Sequence, residues 1–391
     1  MTARTLYIKN GDAVDQVERL DGAGAESVSS GPDAFIADLL RQTLGGDPGA
    51  ELLVMSRQRR DARYRGERVR GRTYDGGRNA LAKLYRRPWT ALSMLTEGLR
   101  FRPERVICGT TGELLCISWL IARLRGVPLV HSRHNRLLDA GEGWFKRCMR
   151  GLDLGIIRGA EGVICHGPYL KHQLAEQGVD NVVEFEVDLS DLDGVMQDAT
   201  PASGRQLLFV GRFEEQKGVT DLLDAAEPLF EEFDDLEIVF VGGGGAFEAL
   251  RRRVDAAGLI GRVTLLGAVP HREIARRLQS CYAVVTPTRP SFPEGRCMVI
   301  LEALIARKPV IAPDFGPFPF AIKDGDNGLL FTAGDVLALR AALSKILQDR
   351  PLYERLCAGA ARSRQELLED QVSFASALSV ALRRAELEPA A

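Results

Sequence analysis

The stretch that decides the fold is SFPEGRCMVILEALIARKPVIAP, residues 291–313. It follows the apolar run YAVVTPT (282–288) and ends in a second apolar run, PVIAP (309–313). Both runs are typical of strands that are buried on both faces. Between them, the apolar residues predict a helix that begins near Arg296 and ends near Ala306. Strand, helix and strand in this order predict a βαβ unit with parallel strands.

Two glutamates in this stretch stand eight positions apart. We predict Glu294 at or just before the helix N-terminus and Glu302 within the helix. Eight helical residues rise about 12 Å, roughly the distance from a ribose to a sugar across a diphosphate. The backbone N–H groups from Gly295 to Met298 lie between the two acids and favour an anion. The spacing thus predicts two hydroxyl-binding carboxylates beside an anion site; an ordinary helix with two acidic residues is the alternative.

Short apolar runs alternate with helical patterns along the whole chain. The series restarts after the polar segment DATPASGRQ (198–206), which has the composition of a linker. We therefore predict an α/β protein with two doubly wound, Rossmann-like domains facing a cleft, followed by a helical C-terminal tail. The predicted domains are 1–200 and 201–350, and the tail, 351–391, is expected to pack back toward the N-terminal domain.

The segment LLFVGRFEEQKGV (207–219) predicts an anion site in the second domain. A strand ends at Gly211, and Arg212 and Lys217 flank a short loop that opens a helix. Ligands of open α/β sheets bind beyond the carboxyl ends of the strands, and two cations at a helix start suit a diphosphate. A surface turn with two ordinary charges is the alternative. The later run GGGG (242–245) lacks the G-x-G-x-x-G spacing of a dinucleotide fingerprint, so we interpret it as a strand-to-helix turn.

Three segments, in this order, resemble the retaining family 4 glycosyltransferases of the GT-B fold: VGRFEEQKG, VTPTRPSFPEGRCMVILEALIARKPVIAP and DGDNGLLF. That family carries a G-R-x(4)-K-G segment after a strand and an E-x(7)-E motif. The resemblance covers residues 201–350 closely. The front domain is similar more loosely, through GVPLVHSRHN and GVICHGPYLKHQLAEQGV.

The resemblance implies a role for each matching residue of the second domain. Arg212 and Lys217 would hold the diphosphate of a nucleotide-sugar donor. Glu302 would bind the ribose hydroxyls, and Glu294 the hydroxyls of the donor sugar. The residues that would line the rest of the donor are Gly211, Val269 beside the base, Gly295, Arg296, Cys297 and Met298.

In the front domain the resemblance implies a histidine that faces the donor sugar. His134 is the residue expected there, and His131 is its rival. Gly22 and Gly24 are the equivalents of a glycine-rich loop after the first strand, although the loop is longer here than in the family. Glu294, His134, Lys217 and Arg212 are thus the residues expected to act in catalysis.

Charge is distributed unevenly along the chain. Residues 1–150 hold 26 Lys and Arg against 17 Asp and Glu, whereas the whole chain has a net charge of −2. The densest basic patch, Arg57 to Arg72, holds eight arginines against two acids. A solvated loop, an anionic membrane surface and a nucleic acid are its possible interpretations, in that order. Nucleic acid is disfavoured because no recognised binding motif accompanies the patch, so we predict none as a partner.

Several classes of protein are disfavoured by composition. No apolar run reaches the ~18 residues of a membrane span, and the first residues do not resemble a secretion signal. The seven cysteines form no C-x-x-C pair, which fits a reducing cytosol. The Asp191/Asp193 and His166/His172 pairs lack converging ligands, so we predict no metal site. The segment Trp144–Gly159 has the pattern of an interfacial amphipathic helix or of a packed one.

The resemblance to family 4 implies a metal-independent, retaining hexosyltransferase without a cofactor, and none of these compositional features opposes it. Its donor would be a UDP- or GDP-sugar, and its acceptor a lipid-linked or cell-surface glycan or glycolipid. The expected location is the cytoplasm, with peripheral contact at the inner face of the cytoplasmic membrane. A non-catalytic protein that binds sugar nucleotides is the first alternative. An oxidoreductase or epimerase is the second, and the missing dinucleotide fingerprint counts against it.

Overall fold

The computed structural model describes residues 3–10, 13–14, 16–17, 20, 34–45, 48–56, 63–65, 68–74, 80–137, 144–187, 189–196, 204–369 and 372–387. The chain divides into two compact units. The first unit contains residues 1–188 and 372–391, and the second unit contains residues 189–371. The predicted boundaries at residues 200 and 350 do not coincide with the edges of these units.

Each unit contains one sheet. The strands of the first sheet are β1 (Arg4–Ile8), β2 (Glu51–Ser56), β3 (Arg63–Arg65), β4 (Val69–Thr73), β5 (Arg105–Cys108), β6 (Leu129–Arg133), β7 (Gly162–His166) and β8 (Val182–Phe185). The strands of the second sheet are β9 (Arg205–Val210), β10 (Leu236–Val241), β11 (Val263–Leu266), β12 (Ala283–Val285), β13 (Val310–Pro313) and β14 (Gly328–Phe331).

Helices occupy most of the remaining described residues. The helices are α1 (Ala34–Leu44), α2 (Ala80–Phe101), α3 (Glu113–Arg125), α4 (Trp144–Arg158), α5 (Pro168–Glu176), α6 (Ser190–Val195), α7 (Val219–Ala226), α8 (Leu229–Glu232), α9 (Phe247–Ala256), α10 (His271–Ser280), α11 (Met298–Ile305), α12 (Phe318–Ala321), α13 (Val336–Gln348), α14 (Arg350–Glu369) and α15 (Phe374–Leu387). Among the described helices, none is long and apolar enough to cross a bilayer.

The second sheet is parallel throughout, with the strand order β11-β10-β9-β12-β13-β14. Its strands are apolar on both faces because helices cover both sides. Leu207 and Phe209 of β9 pack into one buried cluster, while Leu208 packs into another. The chain runs from β9 outward to β11 and then returns to β12 on the opposite side. The direction of winding therefore reverses between β9 and β12.

The first sheet has the order β3-β4-β2-β1-β5-β6-β7-β8, and only β3 of these described strands is antiparallel to its neighbour. Successive residues of β1 again face opposite layers. Leu6 packs with α2 and α3, while Tyr7 packs with α1 and α15. The predicted fold class is confirmed, because both sheets carry helices on both faces and a helical C-terminal region is present.

The interpretation of the basic patch as a solvated loop is wrong for its described C-terminal part. Residues 69–73 form β4, which pairs in parallel with β2. Val69 is buried, and the arginines around it have protein partners. Arg68 donates a hydrogen bond to the Leu44 carbonyl, and Arg72 lies 2.6 Å from the carboxylate of Glu97. Arg68 and Arg72 are thus bound within the protein, whereas the sequence placed them in a solvated loop.

The C-terminal region consists of two helices that belong to different units. α14 packs on α11, and its Gly359 lies against the loop before β14, where a Cβ would lie 2.0 Å from the Asp326 carbonyl oxygen. α15 packs on β7 and β8. Gly162 of β7 permits this approach, because its Cβ would lie 2.9 Å from the Cβ of Ala381. Small residues thus set how closely each helix lies on its unit.

Gly218, just before α7, lies against the backbone of Pro287 in the segment that follows β12. Its φ is +70°, and an added Cβ would lie 1.9 Å from the Pro287 carbonyl oxygen. Gly258, which follows α9, has a φ of +67° and nothing within 4 Å of an added Cβ. Gly258→Ala should therefore cost only the left-handed strain of about 1–2 kcal/mol, whereas Gly218→Ala adds a clash with backbone.

Thermal unfolding of the two variants compares these costs. We expect Gly258→Ala to lower the melting temperature by a few degrees, at roughly 2–4 °C per kcal/mol, and Gly218→Ala to lower it at least twice as far. Equal shifts for the two variants would mean that the loop at Pro287 yields easily, contrary to the packing described.

Candidate functional site

The candidate site lies where the winding of the second sheet reverses. β9 is central, and the loops that follow β9 and β12 leave the same edge because the strands are parallel. Open α/β sheets bind ligands at this position, outside the carboxyl ends of the strands. The first loop, residues 211–218, carries Arg212 and Lys217. The second loop, residues 286–297, carries Glu294.

Arg289 ties the two loops together. Its guanidinium makes two hydrogen bonds to the carboxylate of Asp221 in α7, at 2.8 and 2.7 Å, and a third to Glu215 at 2.7 Å. Its backbone N–H also donates to the Gln216 carbonyl at 2.8 Å. Paired hydrogen bonds between a guanidinium and a carboxylate fix both distance and orientation. The register between the loops is therefore fixed by Arg289.

Lys217 and Glu294 meet across the two loops. The ammonium of Lys217 donates a hydrogen bond to Glu294, and their side chains are 15% and 12% exposed. The ammonium also lies 4.0 Å from the centre of the Phe292 ring. Such contacts between a cation and an aromatic face are attractive, and more so when water is excluded.

Arg212 lies on the same aromatic ring. The guanidinium carbon of Arg212 is 5.2 Å from the centre of Phe292, and its side chain is 62% exposed. A salt bridge of 2.8 Å joins Arg212 to Glu214. Phe292 itself is only 9% exposed. One nearly buried ring thus holds the two cations that the sequence assigned to a diphosphate.

The glycine run after β10 packs against the first loop. A Cβ on Gly242 would lie 1.9 Å from the Gly211 carbonyl oxygen, and one on Gly244 would lie 2.5 Å from the Phe213 carbonyl oxygen. The Phe213 N–H donates to Gly243, and the Ala246 N–H donates to Phe213. These contacts give the glycines a backbone-packing role at a strand-to-helix turn and set the path of residues 211–213.

Glu302 is the polar exception in α11. The helix is otherwise mostly apolar, with six residues buried against the second sheet. Burial raises the pKa of Glu302, whereas the nearby His271 acts in the opposite direction. The helix begins at Met298, two residues later than predicted, because Cys297 is extended at the N-cap position. Glu294 therefore lies four residues before the helix, and Glu302 is its fifth residue.

The other residues expected to line a donor lie on these loops or beside them. Gly295, Arg296 and Cys297 lead directly into α11. Cys297 is 8% exposed, and burial raises the pKa of its thiol to about 12. Val269 follows β11 at the same edge of the sheet and is partly buried. The structure brings Arg212, Lys217 and Glu294 into one cluster, and the direct contacts of the others with a donor stay predictions.

The two histidines of the first unit differ in accessibility. His131 lies inside β6 and is fully buried, which lowers its pKa to about 3. His134 follows the end of β6, is partly buried, and shares a 2.9 Å hydrogen bond with the Ser132 hydroxyl. Burial and the charge of Lys9 lower the pKa of His134 well below its ordinary value. Only His134 of this pair presents surface that a ligand can contact.

Several residues that the sequence singled out lie outside the cluster of Arg212, Lys217 and Glu294. Gly22 and Gly24 lie outside the described residues. Asp193 of the Asp191/Asp193 pair accepts a hydrogen bond of 2.6 Å from Arg364, which gives it a structural partner. Within the described ranges, no three His, Cys, Asp or Glu side chains are grouped as metal ligands would be.

Two residues of the site were missed by sequence reasoning. Phe292 and Arg289 both belong to the segment RPSFPEG (289–295), which precedes the helix with Glu302, but neither was assigned a role. An aromatic residue two positions before the first glutamate was the available signal for Phe292. The pairing of Arg289 with Asp221 joins residues far apart in the sequence, and nothing in the local pattern indicates it.

Two family models match this chain. A model described as glycosyl transferases group 1 matches residues 197–363, and one described as a glycosyl transferase 4-like domain matches residues 22–184. The first match lies within the second unit, and the second match lies within the first unit. They confirm the resemblance to the family 4 glycosyltransferases that the motifs indicate.

Characterised relatives are similar over part of their length. A phosphatidyl-myo-inositol mannosyltransferase of Mycobacterium leprae is 36% identical over 164 residues, which are 42% of this chain and 42% of that enzyme. A D-inositol 3-phosphate glycosyltransferase of an Arthrobacter strain is 33% identical over 59% of each chain. The match thus spans about two fifths of the length of the mycobacterial relative.

The fold is also that of solved structures. HepE of Anabaena, solved in complex with UDP, superposes with a TM-score of 0.65 at 17% identity over 99% of each chain. At this identity the likeness establishes the shared fold.

Phe292 offers a direct test of the cation cluster. Phe292→Leu keeps an apolar side chain but removes the aromatic face beneath Arg212 and Lys217. Two such contacts are worth about 1–2 kcal/mol together, so we expect nucleoside diphosphate to bind roughly 5–30 times more weakly. Phe292→Tyr should bind nearly as the wild type does. Calorimetric titration measures all three proteins.

Phe233→Leu is the matched control, since Phe233 also lies beneath an arginine, Arg205 at 5.2 Å, but precedes β10 and so lies at the opposite edge of the sheet. It should leave binding unchanged. Binding by Phe292→Leu at wild-type strength, with an unchanged melting temperature, would show that the ring does not position the cations.

Glu302 gives a prediction for pH. Because its pKa is raised above 4.5, the folded state retains the proton to higher pH than the unfolded chain does. The stability that this residue contributes is therefore complete below pH 4.5 and declines as pH rises through the folded-state pKa. Glu302→Gln removes the decline, so without nucleotide it should melt above the wild type at neutral pH and closer to it in acid.

Melting curves from pH 4 to pH 9 check this trend, with Glu231→Gln on the exposed surface of α8 as the control. A Glu302→Gln difference that stayed constant with pH would contradict a raised pKa at this position.

Proposed function

Because the chain belongs to the family 4 glycosyltransferases of the GT-B fold, we propose that it is a retaining hexosyltransferase. It transfers a sugar from a nucleoside-diphosphate donor to a hydroxyl group of a glycan or glycolipid. The observation that carries the proposal is the cluster of Arg212, Lys217 and Glu294 around Phe292, at the edge of the sheet where ligands of this fold class bind.

The two cations suit the diphosphate of the donor. Lys217 has three N–H donors, and the bond to Glu294 uses one of them. The others are available to phosphate oxygens, together with the exposed guanidinium of Arg212. Negative charge grows on the diphosphate as the glycosidic bond breaks, and positive groups already held in place stabilise it without reorganisation. This arrangement supports transfer without a metal ion.

The carboxylates of the site are suited to sugar hydroxyls. Glu294 is held by Lys217 and would position the donor sugar, and Glu302 would accept hydrogen bonds from the ribose. Val269 would contact the base, and UDP and GDP are the nucleotides we favour. The N–H groups from Gly295 to Met298 would complete the contacts with the sugar and phosphate.

His134 is the residue of the first unit that we assign to the donor sugar. Its lowered pKa keeps the imidazole neutral near pH 7, so one ring nitrogen donates and the other accepts a hydrogen bond. The family resemblance favours attack of the acceptor hydroxyl on the same face that the diphosphate leaves. In that scheme the acceptor hydroxyl oxygen bonds to the anomeric carbon as the bond from that carbon to the diphosphate breaks, and an oxygen of the leaving diphosphate takes the hydroxyl proton.

The proposed acceptor class is supported by one of the relatives. One similar enzyme is named for phosphatidyl-myo-inositol and another for D-inositol 3-phosphate. The name of the first supports a lipid acceptor, so we favour a lipid-linked or cell-surface glycan or glycolipid and propose the inner face of the cytoplasmic membrane as the location. A non-catalytic sugar-nucleotide-binding protein is the competing candidate, since the same cluster would serve binding alone.

Calorimetric titration with UDP, GDP, ADP and NAD tests the donor site. We expect one nucleoside diphosphate to bind and NAD not to bind. Lys217→Ala should weaken that binding at least tenfold, because a hydrogen bond to a charged group is worth about 1.5–3 kcal/mol. Lys323→Ala is the control, since Lys323 is 60% exposed and pairs with Glu366.

Slow hydrolysis of the matching nucleotide sugar without acceptor separates an enzyme from a binding protein. Binding of NAD, or nucleoside diphosphate binding that Lys217→Ala leaves intact, would overturn the proposed donor site. Diphosphate binding with no donor turnover would favour the non-catalytic candidate.

A further inference from the structure

Exposed tryptophans are concentrated on one part of the first unit. The chain has three tryptophans, and all are exposed: Trp89 by 72%, Trp119 by 42% and Trp144 by 74%. They lie on α2, α3 and α4, one on each helix. Of the ten large hydrophobic side chains exposed in the described part of the chain, six lie on these three helices. Tryptophan is costly to expose to water, so this concentration calls for a partner.

The three helices form one layer. α2 packs on α3, and α3 packs on α4. Their inner residues, including Met94, Leu115 and Ile157, belong to a single buried cluster on one face of the first sheet. The exposed residues of each helix therefore lie on the side away from that sheet. We call this surface, formed by the outer sides of α2, α3 and α4, the tryptophan face.

Helical spacing places a leucine beside one tryptophan and arginines beside the other two. In α2, Leu92 follows Trp89 by three positions, and in α3, Arg123 follows Trp119 by four. Residues three or four apart lie on the same side of a helix. In α4, Arg147 follows Trp144 by three positions. Apolar and basic side chains thus lie side by side on the tryptophan face.

The charge of this layer is strongly positive. Arginines of the three helices with described side chains are Arg87, Arg100, Arg123, Arg125, Arg147, Arg150 and Arg158. Their acids are Glu97, Glu113 and Asp153, and two of these are engaged within the unit. Glu97 pairs with Arg72 in β4, and Asp153 accepts a hydrogen bond of 2.9 Å from the Gly112 backbone N–H.

We propose that the tryptophan face docks on the surface of an anionic lipid bilayer. Tryptophan favours the boundary between lipid headgroups and acyl chains, and arginine favours anionic headgroups. A nucleic acid would satisfy the arginines but leave the two exposed leucines of α2 and α4, Leu92 and Leu152, in water. The inference extends the proposed location at a membrane, yet it depends on this surface alone and not on the transfer reaction.

The full chain reports its own binding, since its only three tryptophans lie on the tryptophan face. Vesicles of phosphatidylglycerol and phosphatidylcholine in equal parts should shift tryptophan emission to shorter wavelength. Brominated phosphatidylglycerol should quench it. Vesicles of phosphatidylcholine alone, or added salt, should weaken both effects. Equal effects with both lipid compositions, or none with either, would overturn the proposal.

Charge-removal variants keep the reporter and test the surface. Arg100, Arg123 and Arg147 changed together to Gln should weaken vesicle binding about 100-fold, at roughly fivefold for each group worth about 1 kcal/mol. The control changes Arg251, Arg272 and Arg276 of α9 and α10 to Gln and should bind as the wild type does. An equal loss in the control would overturn the assignment to the tryptophan face.

Two further measurements separate the possible failures. A single-stranded oligonucleotide that shifts the emission as strongly as the vesicles do would replace the bilayer by nucleic acid. Replacing Leu92 and Leu152 by Ser should weaken vesicle binding without changing the response to the oligonucleotide. Nucleoside diphosphate titration of the triple arginine variant should match the wild type. If no protein binds nucleoside diphosphate, the proposed donor site is wrong. The vesicle experiments still test the tryptophan face independently.

Discussion

The site depends on holding two like charges together before any anion arrives. Arg212 and Lys217 both lie over Phe292, although two cations repel at short range. Glu294 offsets the repulsion at Lys217, and Glu214 offsets it at Arg212. The aromatic ring contributes attraction to both without accepting a proton or competing as a full negative charge. A ligand with two phosphate groups can then bind the remaining N–H donors of Lys217 and the exposed guanidinium of Arg212 while Glu294 stays in place.

Rigid loops are needed for that arrangement to last. Arg289 fixes the second loop to α7 through Asp221, and the contact of Gly218 with Pro287 leaves no space between the loops. The glycines after β10 support residues 211–213 from the other side. The catalytic value of fixed cations lies in their needing no rearrangement as charge develops. The packing of glycine against backbone is thus as much a part of the site as the charged side chains are.

The central parts of the fold and site could be predicted because they follow from local patterns. Apolar runs ending in glycine indicated the buried strands, and parallel strands necessarily bring the loops with Lys217 and Glu294 to one edge. β4 was missed because only two of its residues face the interior, and its arginines resemble a solvated segment. The position of Phe292 before Glu294 was an available signal that was not used, whereas the pairing of Arg289 with Asp221 joins distant residues and has no local pattern. His131 and His134 differ in burial. They stand only three positions apart, and the sequence around them does not show which of the two is buried.

The path of the chain between the units has a consequence for biosynthesis. The second unit, residues 189–371, interrupts the first, whose sheet is covered on one side by α15. The ribosome makes β7 and β8 before the second unit and α15 after it. The apolar residues beneath α15, Phe185 among them, must therefore wait for the entire second unit to be synthesised. Because domains fold as units during translation, the later-starting unit can complete its core first. A chaperone that binds the nascent chain would then find its substrate in the uncovered first sheet.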